Sequence, residues 1–271
     1  LMHRASNSWS TTPYHYGTIG APADTRLMLR STRGDGGMDM YYGEFNYRHN
    51  FTDKHYLDFV VSYNKWKSDD ENIYQDSTSW TDGSTPTDYE WQSRPMHINN
   101  RSWEVKLDYE NPISEQLKLQ AGYQGDFSHE NTPQESYMDP NNWDGSQAVM
   151  DEAYYNRFIY DMDLHALYAT TTMKFGKLGI MAGLRGEYWK VNTESYTWAQ
   201  ENDPALRDKP FKKDYFQLFP SVFLSYQLTD NDQFQINYTR RLQRPWGGQL
   251  NSFRDTRDAT MVSFGNPELT P

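Results

Sequence analysis

The feature that most limits what this chain can become is an apolar–polar alternation with a period of two. Trp103, Val105, Leu107 and Tyr109 alternate with Ser102, Glu104, Lys106, Asp108 and Glu110, and Leu117, Leu119, Ala121 and Tyr123 alternate with Lys118, Gln120, Gly122 and Gln124. Side chains on an extended backbone point to opposite faces in turn, so each run predicts a strand with one apolar and one polar face. Only Asn111-Pro112-Ile113-Ser114-Glu115-Gln116 separates the runs. Pro112 and Ser114 form turns readily and continue a ladder poorly, so the pair reads as a hairpin.

The same unit recurs on both sides. Tyr41, Gly43, Phe45, Tyr47 and Phe51 share one parity opposite Tyr42, Glu44, Asn46, Arg48 and Asn50, and beyond Thr52-Asp53-Lys54 come Leu57, Phe59, Val61 and Tyr63. A strand ending near Phe175 turns at Gly176-Lys177-Leu178-Gly179 into Ile180, Ala182, Leu184 and Tyr188, with Met181, Arg185 and Glu187 on the other parity. A fourth turn, Thr229-Asp230-Asn231-Asp232, joins Leu224-Ser225-Tyr226 to Phe234, Ile236 and Tyr238. The result is eight strands, with tight turns near residues 53, 115, 177 and 231. Long polar segments, roughly 67–100, 128–155 and 190–213, occupy the other end of each pair, and residues 1–37 read as an irregular lead-in. The strand from 158 to 175 is ambiguous in period, as a bulge would make it, and Trp66 and Trp189 fall on the polar parity.

These strands fit a membrane better than a soluble core. Aromatics make up 16% of the chain while the hydrophobic fraction is only 36%, so apolar surface comes mainly as Tyr, Trp and Phe rather than as core-filling aliphatics. No run approaches the ~18 apolar residues of a spanning helix. A spanning strand needs only about 9–11 residues with alternate ones apolar, which reconciles a bilayer with a mean hydropathy of -0.96. Phe51, Tyr109 and Phe234 at the turn ends, and Tyr63, Trp103 and Tyr188 at the loop ends, stand where two interfacial aromatic girdles belong. A net charge of -11 argues against nucleic acid as a partner, and zero Cys excludes a disulfide framework. Leu1-Met2-His3-Arg4 leads into Ser, Thr and Asn rather than an apolar stretch, so no secretory leader is expected here, as in a mature chain or a portion of a longer one.

The fold expected is therefore all-β: an antiparallel transmembrane β-barrel, about eight strands of a larger barrel, with short periplasmic turns and long extracellular loops. Residues 1–271 would form a single domain. Two rivals share the pattern. A self-contained outer-membrane barrel for adhesion or structure could close with eight strands. A secreted carbohydrate-binding β-sandwich would instead bury the apolar rows of two sheets against each other.

From Phe234 onward the chain resembles the TonB-dependent receptors, an outer-membrane β-barrel family. The matching residues are Tyr238, Thr239, Arg240, Arg241, Arg244 and Pro245, then Leu250, Asn251 and Phe253, then Gly265, Asn266, Pro267, Glu268, Leu269 and Pro271. Phe219-Pro220-Ser221, Leu184-Arg185 with Glu187, and Lys67-Ser68-Asp69-Asp70 are similar to that family's barrel as well, and the resemblance runs over about 38–271. It implies a barrel of about 22 strands, a plug domain in the lumen, an N-terminal motif pulled by the TonB complex, and uptake of a nutrient too large or scarce for porins. This chain carries neither plug nor coupling motif, so it would be a portion of the wall. Its partners would be outer-membrane lipid, the rest of the barrel and its plug, the TonB complex through parts outside this chain, and, as an open option, a surface lipoprotein over the loops.

No enzymatic motif stands out. Carboxylate pairs such as Glu104 with Asp108 or Asp161 with Asp163 read as hydrated side chains rather than an acid/base couple. Asp139-Pro140-Asn141-Asn142-Trp143-Asp144-Gly145, followed by Asp151 and Glu152, is a poor calcium loop because the first ligand position falls on Pro140, so an Asp-Gly surface turn is expected. The seven His show no metal-binding spacing, and neither a metal nor a cofactor is implied. Loop aromatics Trp80, Tyr89, Trp91, Trp143 and Trp198 are the candidates for ligand contact, since flat rings with polar neighbours suit sugars and similar partners, though they could equally pack their own loops. The Arg240, Arg241 and Arg244 cluster reads as structural rather than as an anion site.

Overall fold

The computed structural model describes residues 1–80, 87–255 and 261–270. Its framework is a single antiparallel sheet in which chain neighbours are spatial neighbours. The path runs β1 (Met2–Thr18), β2 (Ala21–Thr52), β3 (His55–Trp80), β4 (Asp88–Pro112), β5 (Leu117–Gln134), β8 (Asn156–Phe175), β9 (Leu178–Tyr196), β10 (Phe211–Gln227) and β11 (Gln233–Thr239). Two short strands, β6 (Tyr137–Pro140) and β7 (Val149–Met150), hang on β4 within the β5–β8 connection. Among the described residues helix is limited to short pieces such as α1 (Trp198–Asn202) and α2 (Gly247–Leu250), and none is long and apolar enough to cross a membrane.

All eight strands and all four turns read from the sequence are present, and three further strands join them. Residues 1–37, expected to be irregular, are almost entirely strand: β1 pairs with β2 from Met2↔Met40 to Thr18↔Ala21. The long polar segments differ from expectation as well. β3 and β4 stay paired from Tyr56↔Glu110 up to Thr78↔Asp88, so most of 67–100 is hairpin; residues 81–86 lie outside the described residues. At 32, 26 and 25 residues, β2, β3 and β4 far exceed the ~10 that a bilayer requires, and their upper halves stand beyond it.

Turn chemistry explains the sharp ends. Ser114 Oγ accepts from the N–H groups of Gln116 (3.2 Å) and Leu117 (3.1 Å). Thr229 Oγ1 does the same for Asn231 (3.3 Å) and Asp232 (3.1 Å). Short hydroxyl side chains thus replace the backbone pairing lost where the chain reverses.

Register decides which residues share a face. One row crosses six strands as Leu57, Tyr109, Ala121, Ala169, Leu184 and Pro220, and the next row on that face is Phe59, Leu107, Tyr123, Leu167, Gly186 and Leu218. Both are apolar and turned to the surroundings: Leu167 is 68% and Leu184 51% exposed. Nothing among the described residues packs over them as a second sheet would, which removes the β-sandwich. The alternate row is Asp58, Asp108, Gly122, Tyr168, Arg185 and Phe219. Its polar members bond each other or inner-face neighbours: Arg48 grips Asp58 through two nitrogens, the Tyr168 hydroxyl donates to Asp108, and Arg185 donates to Gln124 (3.0 Å) and Glu187 (2.5 Å). Charged groups on this inner wall are therefore paired rather than left bare in low dielectric.

Above the level of Trp103 and Tyr188 the two faces exchange character. On β8 the outward positions change from Leu167 and Ala169 to Asp163 and Asp161, while the inward ones become Leu164, Tyr160 and Phe158. The ambiguous period of this strand comes from that inversion and not from a bulge, since its register with both neighbours is unbroken from Arg157 to Met173. Trp189 has the inward parity for the same reason. It belongs to a buried cluster with Phe158, Tyr160, Leu164, Val191 and Leu250.

Candidate functional site

The inner face at the loop end of the sheet is where the chain builds a recess. After β11 the backbone turns inside and folds against the wall of β8 and β9. Leu250 of α2 is 2% exposed in the buried cluster. Arg244 pairs with Glu187, which also holds Arg185, so one buried carboxylate ties this segment to the wall. Asn251 donates to Asn156 Oδ1 (3.1 Å), and Asn156 donates in turn to Ser195 Oγ (2.8 Å). Between segment and wall lies a cavity of about 610 Å³ whose lining includes Tyr154, Thr193, Ser195, Phe253 and Arg254. Burial beside it pushes the Tyr160 phenol up to about 12, with Glu130 adding to the effect, so that group stays a neutral donor across the physiological range.

Of the residues that carry the family resemblance, those from Arg244 to Asn251 and from Gly265 to Leu269 belong to this inner segment. Gly265 N–H donates to Asn251 O (2.7 Å) and Asn266 N–H to Gln249 O (2.7 Å), closing a loop back onto α2. A Cβ at Gly265 would lie 2.5 Å from Gln249 O and 2.6 Å from Asn251 O, so only glycine lets the two backbones meet. Asn266 Oδ1 accepts from Glu268 N–H (2.9 Å), and Lys213 of β10 donates to Glu268 O (2.8 Å). Arg240 donates to Leu218 O (3.2 Å), in keeping with a structural role for the arginine cluster. Pro271 lies outside the described residues. Gly265→Val should push the loop off α2 at a cost of about 1–3 kcal/mol, the usual penalty of overpacking. Limited proteolysis should then show new cutting within 246–255 and 261–269 while the wall stays resistant; unchanged protection of those stretches would contradict the contact.

The five candidate aromatics do not converge on this cavity. Tyr89 and Trp143 meet edge to face at 5.7 Å, and Gln75 donates to Trp143 O (2.8 Å). Gly145, in the left-handed region at φ 71°, sits on the Trp91 ring, where a Cβ would come within 2.6 Å. Tyr89, Trp91 and Trp143 therefore form one group around the 139–147 turn, on the parity of the apolar face below. Trp80 ends β3 opposite Arg26 on the other parity, and Trp198 packs on Tyr155 at 5.2 Å.

The 139–147 turn uses its own carboxylates. Asp144 Oδ1 accepts from Ser146 N–H (2.9 Å) and Asp139 Oδ2 from Gln147 N–H (2.9 Å). Those bonds from Ser146 hold the Asp144 carboxyl below the usual range. The oxygens serve the turn itself, and among the described residues no group of three or more His, Asp or Glu could hold a metal ion.

One buried cation carried no signal in the sequence. Arg94 is 6% exposed, with its guanidinium between the rings of Tyr74 (5.3 Å) and Tyr154 (4.6 Å), and it donates to Gln92 Oε1 (2.7 Å). Beside it the buried pair Arg30–Asp76 closes at 2.6 Å. These residues share the inward parity of strands 20 or more residues apart in sequence, which only register reveals.

A sheet whose apolar face is bare, whose opposite face is a bonded polar wall and whose strands run on past an aromatic girdle defines the wall of an outer-membrane β-barrel. The model of the Outer membrane protein beta-barrel family matches residues 49–271, and the chain belongs to that family. Its place is the outer membrane of a Gram-negative bacterium. No curated protein matches it in sequence. Among solved structures it is similar to the ferric citrate transporter FecA (14% identity, TM-score 0.39, 79% of this chain and 35% of that one). It is similar also to BauA, the ferric preacinetobactin receptor of Acinetobacter baumannii (15%, 0.41, 78% and 30%). A third is the ferric yersiniabactin uptake receptor FyuA of Yersinia pestis (11%, 0.36, 84% and 36%). The chain thus spans about a third of the length of these proteins.

Proposed function

We propose that this chain is part of the wall of a TonB-dependent outer-membrane receptor that takes up a scarce nutrient. The observation that carries this reading is the inner segment, Arg244–Asp255 together with Gly265–Leu269, which folds against the inner wall and shapes a recess at the loop end. Open edges support a larger barrel over a self-contained one. β1 and β11 stand at the two ends of the strand order, and open edges of this kind are not tolerated in lipid. Further strands would pair there, a plug would fill the lumen, and the TonB complex would act through parts outside this chain.

Deleting the full-length gene and deleting TonB should abolish growth on the same limiting nutrient. A gene deletion that impairs only adhesion or envelope integrity, with every TonB-dependent growth trait intact, would sink the proposal in favour of a structural barrel.

Among the loop aromatics, Trp143 and Tyr89 keep exposed ring edges and are proposed as outer capture contacts. Trp143→Ala should raise the half-saturating nutrient concentration by roughly two- to tenfold, the value of one ring contact, without changing the maximal rate. An unchanged uptake curve would leave this ring with loop packing alone.

A further inference from the structure

Just above the aromatic girdle, on the outward face, three cations sit together without carboxylate partners. Lys65 on β3 lies directly opposite Arg101 on β4, and Lys67 follows two residues along the same face. Like charges in directly opposed positions repel. Among the described residues none of the three forms an ion pair. The nearby carboxylates are engaged elsewhere: Asp39, opposite Lys67, is held by His3 at 2.7 Å, and Asp69 by His97 at 2.6 Å. His129, next in the row beyond Arg101, is bonded to Asp161 at 2.6 Å.

Immediately below the cations, Tyr63 and Trp103 pack ring to ring at 4.5 Å and mark the level where hydrocarbon gives way to headgroups. The cluster is thus set one step outside the apolar band, pointing away from the lumen, at the height of outer-leaflet phosphates. Neither a nutrient inside the barrel nor the plug can reach it there. We propose that Lys65, Lys67 and Arg101 form a binding site for the phosphorylated headgroup of an outer-leaflet glycolipid. Its acyl chains would lie along Val61, Val105 and Leu107, the outward residues directly beneath. Arg101 can clamp a phosphate through paired N–H groups while the lysines supply point charges.

The test uses the full-length receptor in phosphatidylcholine nanodiscs, with bisphosphorylated lipid A as the probe and native mass spectrometry to count retained lipid. Wild-type protein should retain lipid A, and a Lys65→Gln/Lys67→Gln/Arg101→Gln variant should bind it at least about tenfold more weakly, as expected for losing three headgroup-level cations. Dephosphorylated lipid A should bind wild type as poorly as the variant binds the intact lipid. Millimolar inorganic phosphate should fail to displace the lipid, which separates a glycolipid site from a free-phosphate site. Lys190→Gln, on the same face but on distant β9, should bind like wild type and report that the effect is local. Equal retention by the triple variant, an equal loss in Lys190→Gln, or displacement by phosphate would each overturn the proposal. None of the substituted side chains is buried, so every variant should keep the wild-type circular dichroism spectrum, and a binding loss is separable from misfolding.

Discussion

Ala121→Arg should lower the unfolding free energy of the full barrel by about 2–4 kcal/mol, whereas Gln120→Arg, one residue away, should cost much less. Ala121 stands in the middle of the outward run on β5, between Leu117 at the turn and Phe127 at the girdle. Across the ladder it faces Tyr109 and Ala169, and the shallow recess around it is walled by Leu107, Leu167, Leu184 and Phe216. A guanidinium there meets hydrocarbon on every side, and its stem must bend several residues' length to reach a headgroup. Gln120 has the opposite surroundings. It donates to Glu110 at 2.7 Å on the inner wall, so an arginine at 120 finds a carboxylate already within reach. A denaturant titration of both variants in lipid measures the difference directly. Equal losses would mean that the two parities do not see different solvents, and the register argument would fall with them.

How much of this was written in the sequence depends on where one apolar face meets one polar face. Below the girdle that condition holds, and Leu57 to Tyr63, Trp103 to Tyr109 and Leu117 to Tyr123 gave correct strands and parities. It fails for β1 and the upper half of β2. Ser6, Asn7, Ser8, Ser10, Thr11 and Thr12 pair with Gly34, Asp35, Gly36 and other polar residues, so both parities carry polar side chains and no period marks them. Upper β8 fails for a second reason: both halves alternate correctly, but the apolar parity switches at Asp163. The inner site was least legible. The 240–269 run was recognisable by resemblance alone, because its bonds join Asn251 to Asn156 and Arg244 to Glu187, positions that no local spacing connects. Arg94 was silent because a lone arginine in a polar stretch looks solvated until Tyr74 and Tyr154 close over it.

Trp189→Ala should produce the largest loss from the inner wall, about 3–5 kcal/mol, in the range for removing a buried indole. Trp189 is 2% exposed, lies opposite Leu164 and stacks on Tyr215 at 5.5 Å with planes 19° apart. Because the cluster also contains Leu250, the void opens under the segment that shapes the recess as well as in the wall. Two readouts should therefore move together: the denaturant midpoint falls and residues 246–255 become open to protease. Leu250→Ala should expose the same segment for a loss of about 2–5 kcal/mol, and the double variant should lose less than the sum of the two, since each removes part of one shared contact surface. Leu218→Ala on the outward face of β10 is the control. Its side chain is 44% exposed, so the change leaves no cavity and the segment should stay protected. If Trp189→Ala unfolded at the wild-type midpoint with 246–255 still protected, the tryptophan would not be holding the inner segment, and the recess would need another foundation.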